Sequence, residues 1–308
     1  MKIRSKLLAL ALLAPVSAWA RGETLCYIPG AGGGSEYTMS ELPVALARKG
    51  IPTVTFNVGR TGLVQERAQT FVRLLEAEIR RDASFRCHVA AFSMGGVLIR
   101  YAVSHLDYRD PWSGHRAKSV RDRILSITTL ATPHRGTPLP RILSRFARGK
   151  YEIDEGDWQM NEDVMARFND PKYPETYSPL ETSIPFYSVR LWIPSDKEAL
   201  HIIKRVSFRL LRGDLLGRGL DPMNDTVVPT ASQGFGREIA TLRLPHAYFS
   251  ALRKSSPTPV EFYERVWKNA RAPMVEGDFA RGLRFRQHPE DLGGEGDFET
   301  ARSNDELF

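Results

Sequence analysis

Ser93 lies where a short apolar segment, residues 87–91, meets a second one, residues 96–103. The first segment has the character of a strand, and the second begins like a helix. Small residues surround the serine, with Ala91 two positions before it and Gly95 two positions after it. A sharp strand-to-helix turn of this kind leaves a serine hydroxyl exposed at the end of the strand. The pattern therefore predicts that Ser93 is a nucleophile.

A serine hydroxyl is a weak nucleophile until a base removes its proton, and a third group must fix the tautomer of that base. The chain has seven histidines. Among them, His246 directly follows the last predicted strand and precedes the closing helix. We therefore predict that His246 is the base. His134 also follows a predicted strand end and is the alternative.

Asp225 is the candidate for the third group. It lies on a turn at residues 223–229, which leaves room for one connection and one strand before His246. Asp196 is the alternative, because it also follows a predicted strand. A buried carboxylate at this place would orient the imidazole and stabilise the imidazolium during turnover.

Backbone N–H groups must also point at the carbonyl oxygen that becomes negative when an ester is attacked. Met94 follows the nucleophile at a predicted helix N-terminus, where the helix dipole favours negative charge. The glycine-rich run at 29–34 follows the first strand and allows a close backbone approach. We expect Ala31 to supply the second N–H group, with Gly32 as the alternative. The run lacks the Lys-Ser/Thr pair of a phosphate-binding loop.

Strands and helices alternate along most of the chain. Apolar runs predict strands at 25–28, 51–56, 87–91, 123–130, 184–191 and 239–244, and periodic segments predict helices at 41–49, 65–81, 96–103 and 259–270. This alternation predicts an α/β fold with a mostly parallel central sheet and helices on both faces.

Three motifs together resemble the bacterial serine lipase and esterase branch of the α/β-hydrolase superfamily. They are S-M-G-G at 93–96, T-P-H-R-G-T at 132–137 and N-D-T-V-V at 224–228. The motifs are similar also to those of the GPI inositol deacylases, which act on lipids. The resemblance covers about residues 25–137 and 184–250.

The resemblance implies the α/β-hydrolase fold, the chain order serine, acid, histidine, and hydrolysis of carboxylic esters with no cofactor and no metal. The chain departs from the branch at three positions. Ala91 stands where glycine is usual, and Phe92 and Pro29 stand where histidine is frequent.

The composition is that of a globular protein, since 42% of the 308 residues are hydrophobic. Residues 1–20 have the pattern of a cleaved export signal, with a basic start, an apolar run at 7–14 and a small-x-small site ending at Ala20. The apolar run is too short to span a bilayer as a helix. Removing this segment reduces the net charge from +7 to +4, which does not indicate nucleic-acid binding. We expect an exported protein, periplasmic or secreted.

Cys26 and Cys87 are the two cysteines of the chain. In α/β-hydrolases the two strands that would carry them are neighbours, and neighbouring strands lie about 4.8 Å apart. This spacing suits the Cα separation of about 5.5 Å in a disulfide, which an exported protein can retain. The resemblance therefore favours a Cys26–Cys87 disulfide, with two separately buried thiols as the alternative.

One hydrolase domain is expected over residues 21–270, with insertions at about 137–183 and 194–222 and a polar tail at 271–308. The end of the tail, residues 290–308, carries seven acidic residues and one arginine, which is typical of a disordered segment. In the second insertion, residues 200–212 combine apolar and basic side chains, as in helices that lie at a membrane surface. A cap helix packed over the site explains the same pattern.

The sequence therefore predicts an exported serine hydrolase that cleaves acyl esters or lipids through an acyl-enzyme. A phospholipase or acyltransferase at a membrane is the alternative, because water and an alcohol compete for the same acyl-enzyme. A catalytically silent hydrolase fold that acts as a binding module is a third hypothesis, which the complete triad disfavours. Peripheral membrane contact follows if residues 200–212 form an interfacial segment and not a cap. Binding of nucleic acid is not expected, and the oligomeric state is left open.

Overall fold

The computed structural model describes residues 22–33, 37–147, 153–179, 184–194, 209, 223–248, 258–275 and 278–283. At its centre is a six-stranded sheet in the order β2-β1-β3-β6-β7-β8, in which all neighbouring strands are parallel. The strands are β1 Glu23–Ile28, β2 Thr53–Thr55, β3 Arg86–Phe92, β6 Ile124–Leu130, β7 Phe186–Trp192 and β8 Arg237–Arg243. The predicted parallel sheet is confirmed, although β2 is shorter than expected.

Helices pack on both faces of the sheet, as predicted. The helices of the domain include α1 Leu42–Arg48, α2 Val64–Arg81, α3 Met94–His105, α4 Leu139–Ala147, α5 Glu155–Gln159, α6 Glu162–Phe168, α7 Thr230–Gln233 and α8 Thr258–Arg271. A short π-helical turn lies at Tyr37–Glu41, and short 3₁₀ turns lie at Val120–Arg123 and His246–Tyr248.

The two sheet faces bury separate apolar cores because successive side chains of a strand point to opposite faces. In β1, Cys26 and Ile28 belong to the core under α2 and α3. Leu25 and Tyr27 belong to the core under α1 and α8. The sheet is therefore covered on both sides, as the near-continuous burial of its central strands requires.

α2 presents one apolar face to the sheet, formed by Val64, Ala68, Phe71, Leu75 and Ile79, all of which are fully buried. These residues recur every three or four positions, which is the period of an amphipathic helix.

A second, antiparallel pair of strands was not predicted from the sequence. β4 Asp107–Asp110 and β5 Arg116–Ser119 form a hairpin whose polar residues lack a strand-like apolar pattern. Lys118 Nζ contacts Asp110 Oδ2 across it at 2.5 Å.

The described part of the first insertion, 137–147 and 153–179, is packed against the domain. Asp154 Oδ2 accepts the N–H of Gly62 at 3.0 Å, just before α2. Gln159 Oε1 accepts the N–H of Val64, the first residue of α2, at 2.7 Å. This insertion thereby satisfies N–H groups that lack partners at a helix start. The second insertion, 194–222, lies outside the described residues apart from Pro194 and Arg209.

Cys26 and Cys87 form a disulfide between neighbouring strands β1 and β3, with a Cα separation of 5.7 Å, so the predicted pairing is confirmed. Packing continues beyond residue 270, because Phe279 is buried and its ring lies 5.6 Å from that of Phe262. Among the residues described, no helix is long and apolar enough to cross a membrane. The predicted export signal and the acidic end of the tail lie outside them.

Candidate active site

Ser93 occupies the turn between β3 and α3 with φ 52° and ψ −128°, a strained conformation for a residue other than glycine. Its N–H donates to Leu130 O at 2.8 Å, and its carbonyl accepts the N–H of Gly96 at 3.0 Å. A Cβ atom on Gly95 would lie 2.6 Å from Pro29 O, and one on Gly30 would lie 2.8 Å from Ser93 Cβ. The sharp turn is thus possible because small residues stand where the chain segments meet.

His246 follows β8 and lies against Ser93, as the sequence predicted. Its Nε2 atom is 2.9 Å from Ser93 Oγ, and its Nδ1 atom is 2.7 Å from Asp225 Oδ2. Since an ionised carboxylate only accepts hydrogen bonds, Nδ1 carries the proton and Nε2 accepts from the serine hydroxyl. The ring of Phe92, another residue of the turn, lies 5.0 Å from the imidazole.

Asp225 is fully buried and accepts four hydrogen bonds. Its Oδ1 atom accepts the N–H groups of Val227 at 3.0 Å and Val228 at 2.8 Å. Its Oδ2 atom accepts from His246 and, at 3.2 Å, from Nε2 of Gln233. These four donors match the acceptor capacity of an ionised carboxylate.

The alternative base is placed away from Ser93, and the alternative acid is not among the described residues. His134 is fully buried, and its Nε2 and Nδ1 atoms contact Thr129 Oγ1 at 3.1 Å and Arg100 Nη1 at 3.4 Å. Burial lowers the pKa of His134 well below its usual value, and the nearby guanidinium of Arg100 lowers it further. Asp196 lies outside the described residues.

The predicted donors to a negative oxygen lie on two segments next to Ser93. Met94 is the first residue of α3, where a backbone N–H has no acceptor within the helix. Ala31 lies on the loop after β1. The N–H of Gly32, the alternative donor, is directed away to Arg60 O at 3.2 Å. Ala31 and Met94 therefore stay the predicted pair.

Arg67 supports both of these segments and was not predicted from the sequence. It is 2% exposed, its Nη2 atom donates to Gly30 O at 2.7 Å, and its Nη1 atom lies 2.7 Å from Met94 Sδ. Burial lowers its pKa, and the carboxylates of Asp157 and Asp154 partly oppose this. An arginine on the apolar face of α2 was the sequence signal that could have identified it.

No group of three or more His, Cys, Asp or Glu side chains in the described part of the chain is arranged to hold a metal ion. The site as described consists of a serine, an imidazole, a carboxylate and backbone N–H groups.

Lipases are among the known proteins that the chain resembles. No family model matches the chain. A stretch of 98 residues is 31% identical to triacylglycerol lipase 2 of Saccharomyces cerevisiae. The matched stretch covers 30% of this chain and 27% of the yeast protein. The chain thus matches about a quarter of the length of that relative.

Solved structures resemble about four fifths of the chain. The mature lipase BlEst2 of Bacillus licheniformis superposes with a TM-score of 0.56 at 14% identity, covering 79% of this chain and 91% of that one. The phospholipase PlaB of Legionella pneumophila superposes with a TM-score of 0.51 at 15% identity, and the match covers 82% of this chain and 60% of the phospholipase chain. Similarity at this level of identity identifies the fold.

Proposed function

We propose that this chain, which has the α/β-hydrolase fold of bacterial lipases and esterases, is a serine hydrolase of carboxylic esters. The observation that carries the proposal is the continuous hydrogen-bonded series from Ser93 Oγ through His246 to Asp225, with distances of 2.9 and 2.7 Å. The series starts at a strained strand-to-helix turn, which is the usual position of a nucleophile in this fold.

In the proposed reaction, His246 Nε2 takes the proton of Ser93 as Oγ attacks the ester carbonyl carbon. Asp225 stabilises the imidazolium that forms, and the N–H groups of Ala31 and Met94 stabilise the negative oxygen. The imidazolium then gives its proton to the leaving alcohol, which leaves an acyl-enzyme on Ser93. Water, deprotonated by His246, attacks the acyl carbon, and the imidazolium returns that proton to Ser93 Oγ as the carboxylic acid is released.

The test is hydrolysis of p-nitrophenyl esters of graded chain length by the wild type and by Ser93→Ala. We expect Ser93→Ala to lose activity by about 10⁴- to 10⁶-fold, as single triad losses do. Labelling by a fluorophosphonate should disappear in the same variant. Persistent labelling or hydrolysis in Ser93→Ala would refute the assignment.

A phospholipase or acyltransferase acting on membrane lipids is the second candidate. Its support is the fold similarity to a phospholipase together with the basic and apolar segment predicted at 200–212. Phospholipid vesicles assayed beside the soluble esters discriminate the two, and added alcohol acceptors would reveal acyl transfer as a new ester product.

We also infer export. The Cys26–Cys87 disulfide supports it, because such bonds persist in oxidising compartments. N-terminal sequencing of the exported protein should begin at Arg21, and an N-terminus at Met1 would contradict the inference.

A further inference from the structure

Gln233, the last residue of α7, is 1% exposed and uses its whole carboxamide in hydrogen bonds. Its Oε1 atom accepts the N–H of Leu191 at 2.6 Å. Its Nε2 atom donates to Leu191 O at 3.0 Å, to Val228 O at 3.1 Å and to Asp225 Oδ2 at 3.2 Å. The backbone N–H of Leu191 can only donate, which fixes the orientation of the carboxamide.

Leu191 lies just beyond the paired part of β6 and β7. The last residue of β6, Leu130, pairs with Val189, so Leu191 has no partner residue in β6. Gln233 fills that place, because its side chain accepts from the N–H and donates to the C=O of Leu191, as a neighbouring strand would. The side chain is therefore attached to the central sheet.

The same carboxamide reaches the carboxylate that faces His246. The donors to Asp225 Oδ1, the N–H groups of Val227 and Val228, belong to the turn of Asp225 itself and move with it. Among the described residues, the side chains that donate to Oδ2 are those of His246 and Gln233. Gln233 thus connects Asp225 Oδ2 to strand β7 through hydrogen bonds.

We propose that Gln233 is a positioning residue of the reaction, which holds the Asp225 carboxylate in place relative to β7 so that Oδ2 stays directed at His246. The inference rests on the proposed function. A displaced carboxylate would leave the imidazole free to rotate away from Ser93, and misplacement of about 1 Å can cost about 10²-fold in rate.

Two variants test this role with p-nitrophenyl butyrate as the substrate. Gln233→Met keeps the length of the side chain but removes its donors, so we expect kcat to fall by about 10- to 100-fold with KM within about twofold. Gln233→Glu places a second carboxyl group beside Oδ2, and two buried carboxyl groups this close share a proton because they cannot both ionise. The shared proton replaces the lost donor to Oδ2, so kcat/KM should stay near that of the wild type at low pH and fall along an alkaline limb, where the proton is lost.

The pH limb separates positioning from a purely structural role, which would lower activity equally at all pH values. Other described groups that contact the Asp225–His246 pair include Ser93, Phe92 and the backbone N–H groups of 227–228, which carry no charge. The limb of the pH profile therefore reports on the Asp225–His246 pair.

Thr230→Val is the matched control. Thr230 is 4% exposed and donates to the same Leu191 carbonyl at 3.2 Å, so the variant loses a buried hydrogen bond to that carbonyl and none to Asp225. It should keep kcat and the pH limb of the wild type, and thermal unfolding should show all variants folded.

The outcomes distinguish this inference from the proposed function. If Ser93→Ala keeps its activity, the proposed function fails. If Ser93→Ala is inactive but Gln233→Met keeps kcat within about twofold and Gln233→Glu has the wild-type pH profile, the positioning role alone is refuted. If Gln233→Met does not fold, the limb of Gln233→Glu decides, since Glu keeps the acceptor for Leu191 N–H.

Discussion

The side chains of His246 and Asp225 are aligned by a backbone contact between the same two residues. The N–H of His246 donates to the carbonyl oxygen of Asp225 at 2.7 Å, in addition to the bond from Nδ1 to Oδ2. Two bonds between one pair of residues fix both the position and the rotation of the imidazole. At the other end of the series, the N–H of Ser93 is held by Leu130 O. The reactive geometry is therefore a property of the main chain as much as of the side chains.

At the same scale, Arg67→Met should impair stabilisation of the negative oxygen. The variant removes the contacts to Gly30 O and Met94 Sδ, which fix the two segments that carry the predicted donors. We expect kcat to fall by about 10- to 100-fold, less than the ~10²- to 10³-fold range for deleting a donor outright. Steady-state kinetics with a short p-nitrophenyl ester measure the loss.

Arg73→Met is the control for that experiment. Arg73 lies on the same helix but is exposed, and its Nη2 atom donates to Thr70 Oγ1 at 2.8 Å. An equal loss of kcat in both variants would show that the effect comes from α2 in general and would contradict a specific role of Arg67.

The sequence predicted the residues whose chemistry demands a particular side chain at a strand end. Ser93, Asp225 and His246 are of this kind, and the structure brings them together. Arg67 and Gln233 were missed because the roles proposed for them depend on contacts with residues distant in the chain. Gln233, for example, bonds to Leu191, 42 residues earlier, and no local pattern marks that contact.

At the scale of elements, the central strands were predictable because both of their faces are buried, which gives continuous apolar runs. The hairpin β4–β5 and the short helices α5 and α6 were not predictable in this way. Some of the contacts that place them are polar, such as the bonds from Gly62 N–H to Asp154 and from Val64 N–H to Gln159. Polar contacts of this kind depend on where the insertion lies in the fold and leave no periodic signal.

The disulfide between β1 and β3 belongs to this scale, because it joins the strands that lead to the Ala31 loop and to Ser93. Replacing Cys26 and Cys87 by Ala should lower the free energy of unfolding by about 2–5 kcal/mol, as for native disulfides that close long loops. Denaturant unfolding measures the change. Two free thiols in unfolded, unreduced wild-type protein would show that the bond is absent in solution.

At the scale of the whole molecule, the prediction concerns contact with lipid. The basic residues Lys204, Arg205, Arg209 and Arg212 lie in the second insertion, which the sequence predicts to be an interfacial segment or a cap. If the segment is interfacial, activity on vesicles should rise with anionic lipid, since each basic residue adds about 1 kcal/mol. The activity should fall with salt, because exposed charges are screened over about 10 Å at 0.1 M.

Replacing these four residues by Gln should abolish the lipid and salt dependence and leave hydrolysis of a short soluble ester unchanged. If the variant kept the full dependence, a cap over the site would be the better description, and an esterase acting on soluble substrates would be favoured.

The place of His246 in the chain also bears on when the protein becomes reactive during its synthesis. Ser93 is at the end of β3, near the middle of the sheet, whereas His246 follows β8, which is the last of the described strands in the chain and an edge strand of the described sheet. A nascent chain that has folded its first strands therefore carries the serine without its base. Pairing of parallel strands that are distant in the chain is slow. Ser93 would therefore gain its base only when β8 pairs with β7. On the proposed function, a chain that ends before β8 would lack the base of Ser93 and would therefore not hydrolyse esters.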